Sequence, residues 1–593
     1  MKESRAKQGS GTRKTGLLLT ATFLAGLAVS SYAQDQSDLS VPPDRSASFL
    51  TAPLKDTVAP SFSGLATTTP IPVTPPAADL IAPPVTAAPL TDVSPLSVGA
   101  QNADSLGADM WKGTLYATAE TLLSIATPTT SPTLNNLTRR LLTTAAAPPE
   151  GEATKGTPNL ITLRVGKLLN FGAEPEAWAL AKQADAPLID DITFHAVAEQ
   201  ALAADDKEIC GSLPQWVKNR ATVDWQQAQI ICQLRDKNTK AAQVALDVLR
   251  TQETRDNLFL EIADKNIIGD SKALPHRLTA LTPATLALLR LTDLPLSGGL
   301  YLHADAALTP ALLQTRAQMD VSQLTLAERA AERGLIDSAT LEALYRTISF
   351  SPDALAAPLT TNESSMRLRA LLFRAAMDEK DAKKRIAYTI KFVQSTAPAL
   401  LNGANRIAAD MLGDLKPETS TADNAVLITW IYMNAGRGDA ALDWLRLARQ
   451  TPANADSLQK LWPQLALAGL ESENDLSDHL NKWLNAASNP SASLLLLDAA
   501  GLTIPDSAWS KLLTAPHTEK RIALSSVLFD RLQSAGTAKK RAETVLLAAA
   551  LANDAEISLP AAVAITRALR LAGFKNEAAI FARQQIALLA LGN

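Results

Sequence analysis

Residues 428–444 read ITWIYMNAGRGDAALDW, and residues 565–581 read ITRALRLAGFKNEAAIF. With the glycines aligned, Ile428 meets Ile565 and Thr429 meets Thr566. Ala435-Gly436 meets Ala572-Gly573, Ala441 meets Ala578, and Trp444 meets Phe581. Two stretches far apart in the chain thus share one plan. An apolar helix runs into glycine, a short polar turn comes next, and a second helix opens with alanines. Glycine takes the left-handed backbone that ends a helix at little cost. Alanine lets two helices approach closely, and the large residue after it fills the space alongside. Such a pair cannot bury its apolar face alone, so neighbouring pairs must stack. The fold class read from these stretches is all-α, a helical-hairpin solenoid.

The plan extends outward. Residues 166–181, GKLLNFGAEPEAWALA, place Gly172 and Ala177 in register, while residues 231–250 keep Ala242 but carry Lys237 where glycine stands elsewhere. Residues 326–348 turn at Gly334, with Asp337 or Ser338 as the helix cap. Residues 366–377 and 382–393 pair around Asp378–Asp381. The Ala-Gly-x-x-x-x-Ala pattern resembles the turn of tetratricopeptide repeats, and the chain looks like a degenerate, tetratricopeptide-like exported envelope protein. The resemblance covers about four or five hairpins and lacks the regular 34-residue spacing of that family. It implies a groove that binds a protein or peptide. Ser351–Ser364 is the longest break, either a division of the array into two lobes or a surface loop.

Composition agrees with helix. Apolar residues make up 47% of the chain and aromatics only 5%, with alanine and leucine dominant. The formal net charge is −4. Removing residues 1–33, which hold five basic side chains and one acidic one, takes it to −8. That charge excludes a nucleic-acid footprint.

Residues 1–33 form the pattern of an export signal. Lys2, Arg5, Lys7, Arg13 and Lys14 precede the apolar run Leu17–Ser30, and Ala33 precedes a cut before Gln34. Retention of the run would instead give an inner-membrane anchor facing the periplasm. Residues 34–106 hold 12 of the 34 prolines and read as a disordered, extended Pro/Ala/Thr-rich linker. It serves as a spacer or as a docking segment, with a reach of roughly 200 Å at full extension. Residues 107–146 read as an N-terminal helical segment, 147–158 as a short linker, and 159–593 as the repeat array.

Only Cys210 and Cys232 are present. Export and an even count favour a disulfide. The two lie symmetrically about a turn at Asn219–Thr222, between helices 214–220 and 224–234, where an antiparallel hairpin sets them face to face. Trp430, Trp444, Trp462, Trp483 and Trp509 cluster late and mark a candidate groove, although at helical spacing such residues more often serve the core.

Chemistry-bearing motifs are scarce. His195, His276, His303, His479 and His517 share no metal-ligand spacing, and the sequence has no nucleophile elbow, P-loop or dinucleotide fingerprint. Neither a cofactor nor a metal is expected. Glu471-Ser472 resembles the Glu-Ser motif of soluble lytic transglycosylases, but the continuation ENDLSDHLNKW lacks that family's Gly-Leu-Met-Gln segment. Glu471, Glu473 and Asp475 are then solvated residues at a helix boundary. The function expected is a non-catalytic periplasmic scaffold or adaptor that binds a protein or peptide partner. The alternatives are a cell-envelope enzyme or enzyme subunit acting on peptidoglycan, and a membrane-anchored form of the scaffold.

Overall fold

The computed structural model describes residues 95–591 except 154–156, 185–190, 207, 218–222, 253–255, 271–280, 293–297, 303, 315–320, 472–475, 488–489, 515–524 and 554–556. The export signal, the Ala33–Gln34 cut, most of the Pro-rich segment, the 219–222 turn, Ser472, Glu473, Asp475, His276, His303 and His517 lie outside the described residues. The described residues hold 28 α-helices and no strand. None of these helices is long and apolar enough to cross a membrane.

Local chemistry sets many of the helix starts. The first helix, α1 (Tyr116–Ile125), has no side-chain cap, whereas Ser131 caps α2 (Pro132–Thr143), with proline in the first turn. Asn159 accepts from the Thr162 N–H at 3.0 Å and opens α3 (Leu160–Asn170). Glu174–Gln183 comes next as α4. Asp337 caps the helix Ser338–Thr347, and Asp381 caps Ala382–Gln394. Each cap satisfies an amide that the first turn leaves without a helical partner.

The turns repeat in geometry. At Gly172 the residue's own N–H bonds Leu169 O, and the next N–H bonds Leu168 O. The same two-bond closure recurs at Asp205, Lys237, Gly334, Gly436, Gly469, Gly501, Lys539 and Gly573, all with positive φ. This is the Schellman closure, which satisfies the last free carbonyls of a helix. From Gly172 to Asp205 to Lys237 the steps are 33 and 32 residues. From Gly436 through Gly469, Gly501 and Lys539 to Gly573 they are 33, 32, 38 and 34. The steps are near-regular within each run, with aspartate and lysine at Asp205, Lys237 and Lys539 taking the conformation that glycine takes at the other turns.

Two apolar cores are built from three portions of chain. Leu106 to Leu289 and Trp462 to Ile586 share one, while Tyr301 to Leu465 form most of the other. Tyr345 and Ile348 precede the 351–364 break, Phe373 and Phe392 come after it, and all four belong to the same core. The change of core falls instead near residues 289–301 and within the helix Ala455–Leu467.

The N-terminal part differs from the reading by composition. Residues 95–106 fall within the expected linker, yet Ala100 exchanges backbone bonds with Thr143 and Ala145, and Leu106 is fully buried. The reason lies in Arg164. The residue is 1% exposed, and its guanidinium donates to the carbonyls of Val98, Leu142 and Thr144 at 2.8–2.9 Å. One side chain on α3 thus ties the non-helical strap at Val98 to the C-terminal end of α2. Helix begins only at Tyr116, and residues 107–115 are turns that hydrogen-bond to Ala147 and Glu150. α1 and α2 pack against Arg541–Leu551, and α2 also meets Lys575–Leu591, so the first and last described helices are in contact.

Candidate functional site

The cysteines lie in consecutive helices, Glu208–Val217 and Val223–Arg235, and form a disulfide with the two Cα atoms 5.4 Å apart. Arg235 reaches back to the carbonyls of Asp205 and Asp206 at 2.8 and 2.7 Å, and its Nη1 lies 3.9 Å from the Cys210 sulfur. The staple therefore holds a helix hairpin and its preceding turn. Trp225 packs edge-on against His195 at 5.1 Å between centroids and tilts against Phe194.

The late tryptophans do not share one surface. Trp444 is buried in the core of the middle portion. Trp462 and Trp483 are buried in the other core, with ring centroids 5.9 Å apart. Trp430 is half-buried and donates to the Gln464 side chain at 3.0 Å, and Trp509 is half-buried against the first core. The expected aromatic groove is replaced by packing. Helical spacing turns these rings inward, where their area is worth most.

Glu471 is not a solvated boundary residue. Its side chain is only 5% exposed, with Arg449 Nη2 at 2.8 Å from one oxygen and His479 Nδ1 at 3.2 Å from the other. Both oxygens are engaged by cationic or potentially cationic groups. Among the described residues no group of three or more His, Cys, Asp or Glu side chains is arranged to hold a metal ion.

A cleft of about 410 Å³ opens where three segments converge. The N-terminal strap supplies Asn102 and Asp104, α2 supplies Asn136, Arg139 and Arg140, and α4 supplies Glu176 and Gln183. Gly99 lies at its edge with φ +146°, and a Cβ there would sit 2.5 Å from the Thr143 carbonyl. Glycine is needed for the strap to lie this close. Both arginines are held in place. Arg139 pairs with Glu176 and donates to Gly334 O at 3.2 Å. Arg140 donates to Asp104 O at 2.7 Å and to Glu577 at 2.8 Å. Burial, then the nearby Asp206 and Glu176 carboxylates, pushes Glu174 at the start of α4 up to about 7. The cleft presents amides, a guanidinium–carboxylate pair and aliphatic stems, which suit hydrogen bonding to a polar chain. No sequence motif marks it, because its residues come from three segments and are ordinary polar types.

These features define an all-α protein whose first and last described helices pack together, with a polar cleft beside that contact. Comparison with family models, with curated proteins and with solved structures gives no match to this chain.

Proposed function

We propose that the protein is an exported, tetratricopeptide-like scaffold that acts in the periplasm and binds a protein or peptide partner without catalysing a reaction on it. The observation that carries this reading is the recurring helix-closing turn at steps of 32–33 residues from Gly172 to Lys237 and from Gly436 to Gly501. Arrays with such a period bind extended chains on surfaces built from successive repeats. The cleft between the strap, α2 and α4 adds hydrogen-bonding groups suited to a peptide backbone. The basic-then-apolar pattern of residues 1–33 supports export, with Gln34 as the first mature residue.

The test is capture from cell-envelope extract with the mature chain, with Asn136→Trp, and with a variant lacking residues 34–94. Asn136 is exposed, so tryptophan fills the cleft without disturbing the core. A partner retained by the mature chain and lost with Asn136→Trp supports the reading. Loss on removing residues 34–94 assigns the docking role to the Pro-rich segment instead. Clearing of a peptidoglycan gel by the purified protein would overturn the scaffold reading.

A further inference from the structure

Three arginines are buried among the described residues, and two of them have their acceptors within the chain. Arg164 donates to three carbonyls, and Arg369 pairs with Glu328. The third, Arg583, is 9% exposed and forms neither a hydrogen bond nor an ion pair. Its Nε is sealed from water without an acceptor. Neither Nη atom is sealed in that way, and neither has a partner, so solvent reaches the tip of the guanidinium. Burial alone pushes the group down to about 10, with no carboxylate opposing the shift. A guanidinium taken out of water without a counter-charge costs stability until an acceptor is supplied.

The helix Lys575–Leu591 sets the position of this side chain. Glu577 and Gln584 face α2, where they meet Arg140 and Thr133. Phe581, Ala582 and Ile586 enter the apolar core. With 3.6 residues per turn, Arg583 falls on a third face, between Ala579 and Ala587 one turn to either side. Both alanines are half-buried, so this stripe is covered in part. Their small side chains leave the guanidinium room that a leucine at either position would fill.

We propose that Arg583 is a binding site for an oxyanion, the carboxylate or phosphate group of a ligand from outside the chain, seated on the open tip of the guanidinium. The planar fork of N–H donors matches two oxygens of one such group. No described acceptor of the chain competes for those donors. The net charge of −4 opposes general uptake of anions, so binding comes from a local arrangement. The site is separate from the cleft between the strap, α2 and α4, which no residue of this helix lines.

The full chain, with its disulfide intact, is unfolded in urea at fixed ionic strength while inorganic phosphate or acetate replaces chloride. Above its Kd, a ligand of the folded state lowers the unfolding constant about tenfold for each tenfold rise in concentration. That slope is expected for the unaltered chain with at least one of the two anions, and it is absent in Arg583→Met. A response to phosphate alone assigns the site to phosphate groups, a response to acetate alone to carboxylates, and a response to both to either group. In chloride, Arg583→Met is expected to unfold at a higher urea concentration than the unaltered chain, because an unpaired charge has left the interior. Should Arg583→Met fail to fold, Arg583→Gln takes its place, keeping the stem and a polar end without the charge. Equal slopes in the unaltered chain and the variant overturn the proposal, as does an unaltered chain that responds to neither anion. The arginine then only covers apolar surface with its stem. A variant less stable than the unaltered chain in chloride also overturns it, by showing that the guanidinium is satisfied within the chain.

Discussion

Arg140 on α2 donates to Glu577 at 2.8 Å across 437 residues of chain. Their side chains are 24% and 19% exposed, so water still screens the pair. It marks the contact between the first and last described helices without being its main support. Glu577→Ala should cost about 0.5 kcal/mol or less, as exposed ion pairs do. Arg164→Met should cost far more, on the order of 3 kcal/mol, because three carbonyls lose a charged donor within a dry interior. Urea midpoints of the two variants give the comparison. Protease cleavage near residues 95–106 should rise only with Arg164→Met.

The turns offer a graded series. Gly436 has φ +78° and open space where a methyl would sit, so Gly436→Ala bears only the cost of the left-handed backbone, roughly 1 kcal/mol. At Gly172 a Cβ would lie 2.6 Å from the Ala306 carbonyl, and Gly172→Ala should cost clearly more than Gly436→Ala. Lys237 holds φ +59° with a side chain, so Lys237→Gly should stabilise by a few tenths to about 1 kcal/mol. Chemical denaturation of the three variants tests the order. A destabilised Lys237→Gly would show that the lysine contributes contacts that outweigh its backbone strain.

These same turns mark how far the sequence was legible. Helix type was readable from apolar periodicity and caps, and Gly172, Gly334, Gly436 and Gly573 announced their turns. Asp205 and Lys539 adopt the same conformation without the residue that signals it, and Gly469 and Gly501 lack the alanine that follows Gly436 and Gly573 five residues on, so the spacing stayed hidden. Arg164 is a second kind of silence. A basic residue in LITLRVGKLLN reads as a solvent-facing position, and only tertiary carbonyls from residues 98, 142 and 144 make it a buried anchor. The cleft was illegible for a related reason, since Asn102, Asn136 and Gln183 meet only through folding.

Acidity should stabilise this fold. Glu174 is pushed up to about 7 by burial and the carboxylates of Asp206 and Glu176. Glu342 is also pushed up to about 7, by burial and by its hydrogen bond to Asp410 and that group's charge. An acid with a raised folded pKa holds its proton more tightly than the unfolded chain does. Stability from such a group is therefore greatest below the unfolded value and declines as pH rises toward 7. Asp337, lowered by its cap bonds to Thr340, acts oppositely and only at lower pH. Melting temperature should fall between pH 5 and pH 8, and Glu342→Gln should flatten that slope. A slope unchanged by Glu342→Gln would remove this carboxyl from the explanation.

The disulfide should matter more for stability than for chemistry. Its 22-residue separation predicts a contribution of roughly 3 kcal/mol. Cys232 is 7% exposed, while Cys210 is half-buried. An incoming thiolate meets Cys210 first and must expel a thiolate from the buried Cys232, which disfavours the step. Reduction by a small dithiol should thus be slow in buffer and fast in denaturing urea, measured by mass after alkylation. The joint Cys210→Ala and Cys232→Ala variant should lower the unfolding free energy, measured by urea denaturation, by about that amount.

Glu328, Arg369 and Tyr345 form the most deeply buried charged network among the described ion pairs, with the carboxylate and guanidinium side chains 6% and 5% exposed. Arg369 Nε donates to Glu328 Oε1 at 2.8 Å, and the Tyr345 hydroxyl donates to the same oxygen at 2.8 Å. Arg369 also reaches Ser395 O, so three helices and a turn meet at one carboxylate. Removing one charge strands the other away from water. Glu328→Leu alone should cost about 3–5 kcal/mol, whereas Glu328→Leu with Arg369→Met should recover much of that loss. Tyr345→Phe should cost only about 1 kcal/mol, because the carboxylate keeps its paired guanidinium. A double variant as unstable as the sum of its parts would mean that the network acts through separate contacts. Recovery in the double variant would show that pairing, more than the individual bonds, keeps these charges in the interior.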